Sequence, residues 1–261
     1  MDICGPPSII LDGKSVTLAG GGKDISECVD VVMSRRGQDN KWSSLSFKST
    51  HELNRNEKVT ATIVYKPSTN APLKYIYAFR FGTDYMTIDM IRESSFNDLS
   101  RDDSIQWQHF HLSNRDENWI DRAWAPIIIH DRTTRKNRLY IFTYFNGVGF
   151  TYSFFPLRQD GSIDSYNELI RVQSPQSLKT RTISPNPKRV KVHESEGRLI
   201  LLVETGEKKD PLLCYTGNIQ ENGLAPGEND WTKVTLSLGT PETDRDAEAT
   251  FASVITPSSY Q

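Results

Sequence analysis

No run of about 18 consecutive apolar residues occurs in this sequence, which excludes a membrane-spanning helix. Cysteine is scarce as well. Cys4, Cys28 and Cys214 are an odd, widely spaced set, which excludes a disulfide framework or a cysteine-based metal site and suits a reducing compartment. Neither charge dominates: 31 Lys and Arg stand against 33 Asp and Glu, for a formal net charge of -2. That balance excludes the strongly basic surface of a nucleic-acid binder. The opening residues, Met-Asp-Ile-Cys-Gly-Pro-Pro, have neither the basic nor the apolar region of a signal peptide. No Asn-x-Ser/Thr sequon is present either. These absences point to a cytoplasmic protein, or one released without a signal peptide. Gly-x-Ser-x-Gly, P-loop and dinucleotide fingerprints are missing too, so no cofactor is expected.

What the sequence does have is β-forming residues in short runs. The clearest stretch extends from Trp124 to Phe155. Three runs rich in aromatic and β-branched residues are divided there by a polar, basic loop (131–138) and by Asn146-Gly147. Asn-Gly between such runs marks a hairpin, because both residues tolerate φ > 0. This meander recurs. Last strands begin at Trp42, Trp107, Leu169 and Trp231, spaced 65, 62 and 62. Basic residues open the second strands at Lys14, Lys74, Arg138 and Arg198, spaced 60, 64 and 60. First strands centre on Ile63, Ile128, Val192 and Val254, spaced 65, 64 and 62. Three landmarks agree on one period.

Four-stranded antiparallel meanders at a fixed period are the sequence mark of a β-propeller. The reading is therefore all-β. One propeller domain is expected over residues 1–261, with repeats at 8–50, 57–113, 123–173 and 188–238. Four blades follow, or five or more if the sequence is a fragment. A terminal strand at 249–256 is expected to close the ring by pairing beside Ser15 to Ala19.

Ser100-Arg-Asp-Asp-Ser-Ile-Gln-Trp107 resembles the Asp-box of sialidase-type propellers, with Ser104 in place of its glycine. In that family the box is a structural turn whose Asp caps a hairpin and whose Trp packs between blades. As a whole, the chain resembles the fungal fucose-binding propeller lectins in its tandem, Trp-ended repeats. That resemblance implies sugar sites between blades, each combining an Arg, a Glu and an aromatic ring. The second repeat supplies all three types as Arg80, Glu93 and Trp107. The third offers Tyr144, and the fourth Glu204 and Trp231. Against this stands a plainer reading, since a Trp opening a last strand more often packs between blades than it stacks on sugar.

His109 and His111 share one face of a strand, but no third ligand is recognisable and no metal is expected. His130-Asp131 and His193-Glu194 end equivalent strands and read as turn chemistry. The basic stretches 132–138 and 188–191 read as solvated loops, and Lys74, Arg138 and Arg198 as solvated strand ends. Carboxylates are plentiful, and a glycosidase needs only two, placed by the fold. Without a catalytic signature, the sequence favours a non-enzymatic, lectin-like propeller that binds a carbohydrate or glycoconjugate. The alternatives are a protein-interaction scaffold and a glycoside-cleaving enzyme.

Overall fold

The computed structural model describes residues 3–12, 15–24, 27–36, 40–47, 58–65, 75–81, 85–92, 108–113, 119–131, 134–145, 149–158, 161–164, 176–178, 187, 189–205, 212–227, 230–234 and 253–255. Side chains are described for part of these. Runs of β-branched and aromatic residues with a period of two form 17 strands here. Sheet 1 contains β1 (Ile3–Asp12), β2 (Ser15–Asp24), β3 (Glu27–Arg36) and β4 (Trp42–Phe47). Sheet 2 contains β5 (Lys58–Tyr65), β6 (Tyr75–Phe81), β7 (Tyr85–Arg92) and β8 (Gln108–Ser113). Sheet 3 contains β9 (Trp119–Asp131), β10 (Lys136–Phe145), β11 (Gly149–Leu157) and β12 (Gln176–Leu178). Sheet 4 contains β13 (Arg189–Ser195), β14 (Arg198–Glu204), β15 (Leu212–Asn218) and β16 (Thr232–Val234). Each is an antiparallel meander in chain order. The remaining strand, β17 (Ser253–Ile255), joins sheet 1.

First strands lie side by side around the molecule. β1 neighbours β5, β5 neighbours β9, β9 neighbours β13, and β13 neighbours β17, which pairs back onto β1. This radial arrangement of meanders is a β-propeller. The tail strand does join the first sheet, but it pairs parallel with β1, Ile9 opposite Val254. It was expected beside Ser15 to Ala19. Both edges of β2 are already occupied by β1 and β3, so β1 carries the open edge.

The last strand of sheet 3 also differs from expectation. It is formed by β12, with Gln176 opposite Tyr152, inside a stretch that reads as a polar connector. Leu169 to Val172, the Asn146-Gly147 turn and the Asp-box-like segment 100–107 lie outside the described residues.

Two seams between sheets are resolved in side-chain detail. Ile63, Tyr75, Tyr77, Phe79, Ile88 and Met90 of sheet 2 pack against Leu139, Ile141, Phe155 and Leu157 of sheet 3. The other face of sheet 3 sends Ala125, Ile127, Ile129, Tyr140, Phe142 and Tyr152 against Val190, Val192, Leu199, Leu201 and Val203 of sheet 4. Strand alternation gives each sheet one apolar row per neighbour. Each fully buried Ile, Val, Leu or Phe contributes roughly 1.5–3 kcal/mol.

A hydrogen bond recurs across these seams. The Tyr77 hydroxyl donates to the carbonyl of Gly161, and the Tyr140 hydroxyl donates to that of Gly223 at 3.4 Å. Both glycines follow the third strand of the next sheet and have positive φ, 76° and 73°. The tyrosines are 63 residues apart and the glycines 62, so this latch repeats with the sequence period. A side chain at either glycine would also collide. A Cβ would lie 3.0 Å from the Tyr75 ring at Gly161, and 2.5 Å from Asp131 Cα at Gly223.

Register sets the equivalences. Ile63 opposes Tyr77, Ile127 opposes Tyr140, and Lys191 opposes Leu202. Ile63 faces sheet 3, and Ile127 faces sheet 4. Val190 and Val192 face back toward sheet 3, so Lys191 is the residue facing onward. The equivalent first-strand positions are therefore Ile63, Ile127 and Lys191, whereas the sequence landmarks named Ile128 and Val192. A slip of one residue exchanges the faces of a strand.

Candidate functional site

The end of β9, the β13–β14 turn and the segment following β15 meet at the rim between sheets 3 and 4. They enclose a cleft of about 240 Å³ lined by Ile128, His130, Glu194, Ile219, Gln220 and Glu221, among others. The β13–β14 connection is a two-residue turn in which Glu196 and Gly197 have φ of 51° and 77°. Positive φ at both centres matches the twist of a hairpin. The Gly197 N–H donates to Glu194 Oε1 at 2.9 Å, which anchors that carboxylate at the turn. His130 Nδ1 lies 2.9 Å from Asn137 Oδ1, which orients the imidazole.

The opposite wall is held by its own backbone. Ile219 N–H donates to Gly197 O at 2.8 Å, Gly223 N–H to Gln220 O at 2.8 Å, and Gln220 N–H to Leu224 O at 2.9 Å. Asn222 Oδ1 accepts from Leu224 N–H at 3.0 Å. Ala225, fully buried, plugs the wall into the seam. A wall with this many internal bonds is preorganised.

Beneath the wall lies an ion pair. Asp131 has no exposure and accepts from Arg138 Nη2 at 2.7 Å. It also accepts from the Thr134 N–H at 3.1 Å and from the Thr134 hydroxyl. Arg138 donates on to Asn222 O at 3.2 Å and rests over the Phe154 ring, 5.7 Å from its centre. The reading of Arg138 as a solvated strand end is corrected. The hairpin brings its guanidinium onto a buried carboxylate at the adjacent strand end. Asp131 and Glu194 each serve the turn that follows them, as the recurrence of His-Asp and His-Glu suggested. Burial pushes the Tyr140 phenol up to about 12, against smaller opposing effects of the Ala225 backbone and Arg138. Burial raises Tyr152 as well.

Four of the six expected sugar-site residues are among the described residues. Arg80 is on β6, opposite Val59 and Thr87, and Tyr144 is on β10, opposite Phe150. Glu93 and Trp107 lie outside the described residues. Glu204 is buried at the end of β14, on the face turned from sheet 3. Trp231 packs into the seam between sheets 3 and 4, edge-on to Phe142 at 6.0 Å and 81°. Neither Glu204 nor Trp231 lines the cleft. The cleft's own polar groups, His130, Glu194 and Glu221, were not singled out as ligand-binding residues. His130 and Glu194 had a signal in the repeated strand endings. Glu221 had none beyond its place in a polar connector. Two carboxyl groups and an imidazole around one cleft can exchange protons with a bound glycosidic oxygen.

No protein-family model and no curated protein matches this sequence. Solved structures do. A GH43 protein from Bacillus licheniformis aligns with 94% of this chain and 44% of its own, at TM-score 0.53 and 14% identity. A xylan β-1,4-xylosidase from Bacillus halodurans aligns with 92% of this chain and 44% of its own, at TM-score 0.53 and 12% identity. An endo-arabinase from Bacteroides thetaiotaomicron aligns with 90% of this chain and 83% of its own, at TM-score 0.52 and 12% identity. The chain thus spans less than half the length of the first two. At these identities the likeness is one of fold, and it supports the β-propeller. It does not support the resemblance to fucose-binding lectins. The expectation of a non-catalytic lectin is overturned, because structures sharing this fold are named as a xylan β-1,4-xylosidase and an endo-arabinase.

Proposed function

We propose that this chain is a glycoside-cleaving β-propeller acting on a polysaccharide built from arabinose, xylose or a related sugar. The observation that carries this reading is the two-way match to the endo-arabinase, which covers 90% of this chain and 83% of that one. Glycoside hydrolysis needs a proton donor at the leaving oxygen and a second carboxylate for water or for the sugar carbon. In the cleft, Glu194 has one oxygen held in place by the Gly197 N–H and is the candidate base or nucleophile. Glu221, exposed on the opposite wall, is the candidate acid. His130 and Gln220 are placed to bind sugar hydroxyls.

We read the propeller as four full blades, with β17 occupying a first-strand position between sheets 4 and 1. Its spacing from Val192, 62 residues, continues the period.

The test is release of reducing sugar from arabinan, xylan and galactan and their oligosaccharides. Hydrolysis of at least one is expected, with Glu194→Gln and Glu221→Gln each lowering kcat by about 100-fold or more. The anomeric form of the first product then shows whether configuration is inverted or retained. A folded protein that cleaves none of these substrates would overturn the reading. Full activity in both variants would remove the cleft as its site.

A further inference from the structure

The face of sheet 4 turned toward β17 breaks the apolar pattern set by the two preceding seams. Ile63 and Ile127 become Lys191 at the equivalent first-strand position. Two residues on, Tyr65 and Ile129 become His193. Phe79 and Phe142 become Glu204, and their partners Ala61 and Ala125 become Arg189. The latch tyrosines Tyr77 and Tyr140 become Leu202. Four polar residues therefore stand where the other seams have Ala, Ile, Tyr and Phe.

Lys191 is 8% exposed, as deeply placed as Ile127 at 7%. Among the described residues, no hydrogen bond or ion pair reaches its ammonium. The ammonium is not one of the fully enclosed polar atoms, so solvent reaches it, yet the burial around it disfavours its charge where isoleucine would carry none. His193 is half-buried on the same face and close enough for Lys191 to influence its charge. Around them stand Leu202 and Ile200 from β14 and Cys214 from β15. β17 brings Ser253, Val254 and Ile255, none of which titrates. The Lys191 ammonium and the Glu204 carboxylate are the charges described on this face, and His193, held below its usual range by burial, offers a neutral N–H.

We propose that the seam between β13 and β17 is an oxyanion-binding site, in which the Lys191 ammonium is the principal donor and His193 assists. The ligand carries a carboxylate or a phosphate, either as an acidic sugar of the uronic-acid class or as a phosphate group. The acidic-sugar source rests on the carbohydrate reading above; the phosphate source does not. Burial lowers Lys191 to about 8, and burial also lowers His193. A bound anion would restore the charge that burial disfavours on both.

Calorimetric titration of the full chain at pH 7 tests this, with glucuronate, inorganic phosphate and glucose as probes. Glucuronate or phosphate is expected to bind at millimolar concentration or below, and glucose is not. Lys191→Met should weaken that binding by about tenfold or more, the worth of a charge-assisted hydrogen bond. His193→Gln should weaken it less, and Lys233→Met, on exposed β16, not at all. Raising the pH from 7 to 9.5 should also weaken it, as Lys191 loses its proton. Binding of glucuronate alone identifies the sugar acid, and binding of phosphate alone identifies a phosphate group. No anion bound at about 10 mM, or equal binding by Lys191→Met, overturns the proposal. If Lys191→Met fails to fold, labelling of the native protein with an amine reagent decides. The probe must slow modification of Lys191, and unchanged labelling overturns the site. Because these readouts are binding and labelling, failure here leaves the hydrolysis assay unaffected, and the reverse holds.

Discussion

Sheet 4 presents opposite chemistry on its two faces. Toward sheet 3, Val190, Val192, Leu199, Leu201 and Val203 meet a row of buried aromatic and aliphatic side chains. Toward β17, the alternate residues of the same strands are Lys191, His193 and Glu204. One face has a packing reason for every described residue. The other buries charge where packing would favour the isoleucine and phenylalanine of the preceding repeats. A repeat protein that departs from its own rule at a cost in stability marks a place where something besides stability is at work. The polar groups of the rim cleft involve no such departure, since each lies at a strand end or on a connector.

The comparison breaks first at its apolar side. Phe142 is fully buried and touches Tyr140, Tyr152 and Trp231. Phe142→Ala should cost about 3–5 kcal/mol, through lost transfer energy and the hole left between two sheets. Urea unfolding measures it. A loss under about 1 kcal/mol would show that the sheets collapse to fill the gap, and that this seam is not the rigid partner in the contrast.

The β-propeller was legible in the sequence because its strand pattern repeats along the chain. Period-two runs, turn residues and spacings of sixty-odd residues all point one way, and most strands among the described residues follow them, β12 excepted. The faces were harder to read. Taking Ile128 and Val192 as the counterparts of Ile63 shifted the frame by one residue and placed Lys191 among solvated residues. Its true counterpart is Ile127, opposite the latch tyrosine. Only the pairing register reveals that, because Ile127, Ile128 and Ile129 are identical in type. The Asp131–Arg138 pair was hidden for a similar reason. Both lie in a polar stretch that reads as loop, and their meeting depends on where β9 ends and β10 begins. Function was the least legible. Its evidence is a shared fold at 12–14% identity, below what residue motifs can show.

The polar side of sheet 4 should respond in the opposite sense. Lys191→Met keeps the length of the side chain and removes the buried charge, so it should stabilise the protein at pH 7. The ceiling is about 3 kcal/mol, from a lysine lowered from 10.5 to about 8. A group lowered by folding disfavours the native state fully below its folded pKa, and that penalty disappears above the unfolded one. Wild-type stability should therefore gain on the variant as pH rises from 8 to 10.5, until the two curves meet. Denaturation at pH 7, 9 and 10.5 measures the gap. A variant less stable than wild type at pH 7 would mean that Lys191 has a structural partner, and the contrast between the two faces would shrink.

The smallest effect expected at neutral pH concerns the latch of the apolar seam. The Tyr140 hydroxyl reaches Gly223 O at 3.4 Å, a long bond, so Tyr140→Phe should cost only about 0.5–1 kcal/mol at pH 7. Alkaline pH changes the sign. Burial raises this phenol from 10.0 to about 12, so the folded state favours its neutral form. A raised group supplies stability that is whole below the unfolded pKa and is lost as pH climbs through the folded one. Wild type should thus lose up to about 3 kcal/mol between pH 10 and 12 through Tyr140 alone, and phenylalanine has no proton to lose. The variant should begin slightly less stable and become the more stable protein above about pH 11. Denaturation at pH 7, 9 and 11 follows the crossing. Parallel curves over that range would mean that the hydroxyl reaches water, and the seam between sheets 3 and 4 would be wetter than its packing indicates.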